Sequence, residues 1–234
     1  MPKPYKLSAL EGKVIAIDGP AGSGKSTTAR LLAAKLGFTY LDTGAMYRSV
    51  ALFALRHDVS VDDARALEAI ALKVDIGFRM VGDANRVFLN EEDVTEAIRS
   101  PEVTKAVSPV SAQAGVRKAM VYRQRQMARK GNVVAEGRDT TSVVFPEADI
   151  KIYLDASLET RARRRLIEYS RKGVQTTLEE QLAELTTRDK YDSNRSNSPL
   201  TRTRDSMLLD TTDLTIDEQV DRILKLVKAR VSSP

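Results

Sequence analysis

GPAGSGKST, residues 19–27, follows the apolar run Val14-Ile15-Ala16-Ile17-Asp18 and opens a helix-forming stretch at Lys25. The positions from Gly19 to Ser26 fit G-x-x-x-x-G-K-[ST] between a strand and a helix, the setting in which that pattern has a physical meaning. A glycine-rich turn presents successive backbone N–H groups, and the following helix adds the positive end of its dipole. Together they make a cage for a polyphosphate, lined by Gly19, Pro20, Ala21, Gly22, Ser23, Gly24, Lys25, Ser26 and Thr27. Lys25 reaches the β- and γ-phosphates, and the Ser26 hydroxyl helps to hold Mg²⁺.

The 234 residues suit one sizeable α/β domain or a core with insertions. Hydrophobic residues at 42% and charged residues at 29% are ordinary globular composition. With no cysteine, disulfides and thiolate metal sites are excluded and a reducing compartment is compatible. No apolar stretch approaches the ~20 residues of a membrane span, and MPKPYKLSALEGK lacks the apolar segment of a signal peptide. A cytoplasmic, membrane-free monomer is the expectation. The net charge of +5 and pI near 9.4 raise the question of nucleic acid. Arginine, however, is concentrated between Arg161 and Arg204, aromatics are 5%, and tryptophan is absent. That is a poor stacking platform for single strands and a good supply of forks for a small polyanion. No nucleic-acid partner is expected.

Outward from the loop, the pattern alternates strand and helix. A helix is expected over 25–36 with Gly37 as its C-cap, then a strand over 38–41, and a helix from Asp42-Thr43-Gly44 to about Arg56. The lone His57 falls at that helix's end, a solvated or dipole-paired position. A short helix follows from Val61-Asp62-Asp63 to about Ala71. Val74, Ile76, Phe78 and Met80 then alternate with polar residues, Gly82-Asp83-Ala84-Asn85 supplies a turn, and 86–89 returns. Ser100-Pro101-Glu102 starts another helix, and one more spans about 114–129. Strands are expected over 133–135, 150–154 and 207–209, with helices over 158–172, 178–192 and 216–231. Thr177-x-x-Glu180 and Thr215-x-x-Glu218 are capping-box patterns.

Five short strands alternating with helices imply a parallel sheet covered on both faces. Ligands bind such sheets beyond the carboxyl ends of the strands, and the polar groups Asp18, Asp42-Thr43, Glu136 to Asp139 and Asp155 follow strand ends. No Asn-Lys-x-Asp segment is present to read guanine. Arginines instead mark the polar turns: Arg48, Arg99, Arg117, Arg138, Arg188 and Arg195. One triphosphate cannot occupy them all, so a second phosphorylated substrate is the economical reading.

Four separated blocks, GPAGSGKST, YLDTGAMYR (40–48), AEGRDTTSVVFPEADIKIYLDAS (135–157) and RDKYDSNR (188–195), resemble the bacterial cytidylate kinases in order and spacing. The resemblance covers about 12–231. It implies a three-layer α/β sandwich of the P-loop kinase type with a five-stranded parallel sheet, an inserted acceptor-binding subdomain and a short lid. The core would comprise 1–42, 101–156 and 188–234, and the monophosphate-binding region 43–100 with a hairpin insert over about 59–98. The lid would fall within 157–187, most clearly at 161–175.

The same resemblance implies MgATP as donor and CMP or dCMP as acceptor. By position, Arg48, Arg138 and Arg195 would hold the acceptor phosphate, Thr43, Arg188 and Asp192 would meet the sugar, and Ser108, Arg117 and Asp139 would read the base. Lys25, Arg161, Arg165 and Arg188 would stabilise the transferring group, the two lid arginines by closing over it. Cytosine carries an amino donor beside two acceptors and so suits a carboxylate next to an arginine or hydroxyl. Uracil would set a carbonyl against Asp139, a mismatch of a kind worth ~10⁴-fold. Thr43 stands where serine is frequent in the family, and Glu136 where aspartate is. Kinases for UMP or AMP, and a nucleotide-gated RNA-binding protein using the basic 161–204 region, are the alternatives.

Overall fold

The structure, a computed structural model, describes residues 10–81 and 84–232. The chain divides into two compact units. The first holds residues 1–40, 130–195 and 199–234, and the second holds 41–129 and 196–198.

The first unit is built on a five-stranded sheet. β1 (Val14–Asp18), β2 (Thr39–Asp42), β6 (Val133–Gly137), β7 (Ile150–Asp155) and β8 (Met207–Asp210) run in the order β2-β6-β1-β7-β8. The ladders joining β1 to β6, β1 to β7 and β7 to β8 are parallel, in register from Val14 opposite Val133 to Asp155 opposite Asp210. β1 is central and its last four residues are buried, which explains its unbroken apolar reading. Helices α1 (Lys25–Leu36) and α8 (Ile216–Ser232) share the sheet's core, and α6 (Leu158–Arg171) and α7 (Leu178–Asn194) pack on one another. Ile15, Ile17, Leu32, Ile152, Leu154 and Ile223 fill one large core with their neighbours. A small second core joins Ala21 of the loop to Ala162 and Leu185, with Leu158, Leu178 and Leu182 packed against it.

Local signals set the helix limits. Gly37 closes α1 in the left-handed region at φ 70°, returning its N–H to Ala33 and Ala34. Both capping boxes form: Thr177 with Glu180 starts α7, and Thr215 with Glu218 precedes α8. Between β6 and β7 lies a π-helical turn, Thr140–Val144, which no periodicity in the sequence announces.

The second unit holds α2 (Thr43–Arg56), α3 (Ala64–Lys73), α4 (Pro101–Ala112) and α5 (Ala114–Met127), with the antiparallel sheet β3 (Ile76–Val81), β4 (Ala84–Leu89) and β5 (Glu92–Asp93). Asp42, Asp63 and Ser100 cap α2, α3 and α4 through their side-chain oxygens. Of the expected hairpin turn, Gly82 and Asp83 lie outside the described residues. Ala84 and Asn85 belong to β4 rather than to the turn, opposite Val81 and Met80. α4 packs on α2 and α5 on α3. The two helices therefore cluster with this unit, although their sequence position groups them with the core. His57 is exposed at the end of α2, stacked on Phe53 at 4.0 Å.

Candidate active site

In the first unit, the loop from Gly19 to Gly24 leaves the carboxyl end of β1 and enters α1. Gly19, at φ 153°, lies against the Leu154 carbonyl, where an added Cβ would collide with main chain. Gly24 starts α1 in the left-handed region with no side-chain cap, so the first N–H groups of the helix face outward for an anion. Lys25 is 5% exposed and its Nζ donates to the Pro20 carbonyl at 2.9 Å. Burial, then the nearby charge of Arg138, lower its pKa from the usual lysine range to about 7. Arg188 adds to this, while Glu136 and Asp18 oppose it.

Ser26 Oγ donates to Glu136 Oε1 at 2.6 Å, and Tyr40 OH donates to the same oxygen at 3.0 Å. A hydroxyl beside a carboxylate next to a phosphate loop is an oxygen donor set of the kind Mg²⁺ takes together with phosphate oxygens and water. The residues present therefore fit that ion.

Asp18, at the end of β1, is fully buried and organises the next strand end. Its Oδ1 accepts from Thr140 N and Oγ1 at 2.8 and 2.7 Å, and its Oδ2 from Thr141 N and Oγ1 at 2.7 and 2.6 Å. Burial raises its pKa above the carboxylate range despite these four bonds. The clamp ties the π-helical turn to β1 and so fixes Arg138 and Asp139, the two residues before it. Arg138 Nε donates to Asp192 Oδ2 at 2.9 Å, and Arg188 Nε lies 3.9 Å from the same oxygen. Arg195 lies 3.9 Å from Asp139 Oδ1. Burial would raise the Asp192 carboxyl, but Arg138, Arg188 and Arg195 outweigh it and hold it below the ordinary range. Arg138 and Arg188 thus share Asp192 and act on Lys25, while Arg195 lies against Asp139.

The expected lid arginines, Arg161 and Arg165, both lie on α6. Arg165 donates to Glu168 at 2.9 Å and to Tyr169 OH at 2.6 Å, with its guanidinium 4.5 Å from the Tyr169 ring centre. It lies along its own helix. Arg161 is 6% exposed and donates to the Ala156 and Ala21 carbonyls and to Asp189. Arg164, which sequence reasoning passed over, donates to Thr211 Oγ1 and O at 3.1 and 2.6 Å.

The second unit carries its own group of expected residues. Thr43, 2% exposed, is the first residue of α2. Arg48, one turn further along α2, donates to the Ile98 carbonyl at 3.2 Å and to Thr104 Oγ1 at 2.9 Å. Arg117 of α5 is buried; its Nε donates to Ser198 Oγ at 2.9 Å and its Nη1 to the Ser111 carbonyl at 3.1 Å. Ser108 of α4 accepts from Ser111 Oγ through its own carbonyl at 3.0 Å. Ser108 and Arg117 are thereby brought together through Ser111. Tyr47, whose ring centre lies 5.2 Å from the Arg117 guanidinium, and Ser198 complete the setting. Neither was anticipated. The only signals were the tyrosine next to Arg48 and a serine-rich stretch just past Arg195.

A protein-family model described as cytidylate kinase matches residues 15–229. A cytidylate kinase of Carboxydothermus hydrogenoformans is 49% identical over 213 residues, covering 91% of this chain and 96% of its own length. That of Geobacter sulfurreducens is 44% identical over 219 residues, covering 94% of each. Among solved structures, a shikimate kinase from Bacteroides thetaiotaomicron superposes with a TM-score of 0.50 at 14% identity, covering 92% of this chain and 98% of its own, a likeness of fold. With a family match across nearly the whole described chain and relatives this similar, the chain belongs to the cytidylate kinase family.

Proposed function

We propose that the protein transfers the γ-phosphoryl group of MgATP to CMP or dCMP, giving ADP and CDP or dCDP. The observation that carries this reading is the pairing of two anion-binding devices within the first unit. One is the amide-lined loop with Lys25. The other is the arginine cluster of Arg138, Arg188 and Arg195, close enough that Arg138 and Arg188 depress the Lys25 pKa. The negative charge of two phosphorylated substrates relieves that repulsion.

The loop amides and Lys25 hold the donor phosphates, and Arg138 and Arg195 take the acceptor phosphate. Arg188 and Asp192 reach the transferring group and the sugar from α7. Arg48 and Thr43 add to the hold on acceptor phosphate and sugar, and Arg117, Ser108 and Asp139 read the cytosine edge. Arg165 reaches the transferring group by leaving Glu168 and Tyr169. Ser26 and Glu136 would hold Mg²⁺, which supplies charge neutralisation across the donor phosphates. No general base is required, because the attacking phosphate oxygen is already anionic near neutral pH, its second pKa being about 6. Catalysis is in-line placement and stabilisation of charge by fixed groups. The enzyme works in the cytoplasm as a monomer. ADP release assayed with CMP, dCMP, UMP and AMP in turn tests the assignment. Salt-sensitive RNA affinity without acceptor-dependent turnover would support the nucleic-acid alternative instead.

A further inference from the structure

Arg161 is the most deeply engaged arginine of α6, and its contacts lie on the phosphate loop and on α7. Its Nη1 donates to the Ala21 carbonyl at 3.2 Å and to Asp189 Oδ2 at 2.7 Å, and its Nε to the Ala156 carbonyl at 3.0 Å. The approach is close on the main-chain side as well. A Cβ placed on Gly22, which sits at φ 78°, would lie 3.0 Å from both the Cβ and the carbonyl oxygen of Arg161. In a planar trans peptide the carbonyl and the next N–H point in opposite directions. Holding the Ala21 carbonyl toward α6 therefore turns the Gly22 N–H away from α6, as a phosphate-facing amide requires.

Asp189 completes the arrangement. It precedes Asp192 by one helical turn and follows Arg188 directly, and its Oδ1 is buried and carries no hydrogen bond. Arg161 makes the direct ion pair to this carboxylate, and the carboxylate in turn fixes the guanidinium across the Ala21 carbonyl. The packing of Ala21 against Ala162 and Leu185 runs parallel to this polar link.

We infer that Arg161, oriented by Asp189, is a positioning residue that holds the phosphate loop in its donor-binding shape, joining the loop to the helix that carries Arg188 and Asp192. This rests on the proposed role of the loop as donor site. Lysine has a single nitrogen, so it cannot bridge the Ala21 carbonyl and Asp189 as Nη1 does while also holding the Ala156 carbonyl as Nε does. Arg161→Lys therefore weakens ADP binding about tenfold, measured by titration calorimetry, and raises KM for ATP by a similar factor. KM for CMP and kcat at saturation of both substrates change less than about threefold. Asp189→Asn moves the donor constants the same way by a smaller factor, since an amide oxygen still accepts from Arg161.

Loss of kcat by two orders of magnitude with KM for ATP unchanged overturns the inference, because it would place Arg161 on the reacting atoms. Unchanged ADP affinity in both variants overturns it too. Should Arg161→Lys fail to fold, Asp189→Asn decides alone, and wild-type donor affinity there refutes the link. ADP binding is read without an acceptor. A wild-type protein that leaves CMP unphosphorylated would end the proposed function without deciding this point.

Discussion

Donor binding at pH 8 will draw close to one proton from solution, and Lys25 is the reason. Buried beside Arg138 and Arg188, its ammonium titrates at about 7 in the protein alone. At pH 8 such a group is about one-tenth protonated. Two or three phosphate charges against the ammonium return it to the fully charged form. The expected uptake is about 0.9 proton per donor bound. The ligand adds little of its own, because terminal phosphates with a second pKa of about 6 are already ionised at that pH. Calorimetric titration of ADP in buffers of differing ionisation enthalpy gives the proton count directly, and Lys25→Met removes the uptake. The same shift acts on folding. Between about 7 and about 10.4 the unfolded chain holds the lysine proton and the folded chain does not, so this residue's contribution to stability rises with pH across that window. Relative to Lys25→Met, wild-type stability should increase by roughly 1 kcal/mol per pH unit between pH 7.5 and 9.5. A proton count of zero at pH 8, with a flat stability difference, would show that Lys25 is charged in the free protein and refute the reasoning.

Asp18→Ala leaves two backbone N–H groups and two hydroxyls without their acceptor. It should cost roughly 2–4 kcal/mol of stability, read by denaturant unfolding, and lower kcat/KM for CMP about tenfold or more by loosening Arg138 and Asp139. Asp139→Asn should shrink the preference for CMP over UMP from about 10⁴-fold to within about tenfold, measured as the ratio of kcat/KM values. An unchanged ratio would remove Asp139 from the base-reading group.

What could be read from the sequence was whatever is decided within a few residues. Gly37 after α1, Ser100-Pro101 before α4 and the two Thr-x-x-Glu boxes placed helix ends because each acts on backbone groups one turn away. The glycine-rich turn between β1 and α1 was legible for the same reason. The π-helical turn at 140–144 was not, since the carboxylate that shapes it lies 122 residues earlier, on Asp18. Arg161 shows the limit most clearly. As a letter it is one of several arginines on a charged helix, and nothing in its neighbours announces its contact with the loop. Packing of α6 against α7 and the loop turns it onto the Ala21 carbonyl. Similarly, α4 and α5 follow their neighbours α2 and α3 because of which faces are apolar in three dimensions. Linear order does not carry that information.

The central claim is that two phosphorylated substrates meet on this protein, one on main-chain amides and one on guanidinium groups. Initial rates of ADP release from saturating MgATP, measured with CMP, dCMP, UMP, AMP or no acceptor, test it most directly. The account predicts release that requires CMP or dCMP and is at least ~100-fold slower in the other three conditions. Release at the same rate with no acceptor present would contradict it.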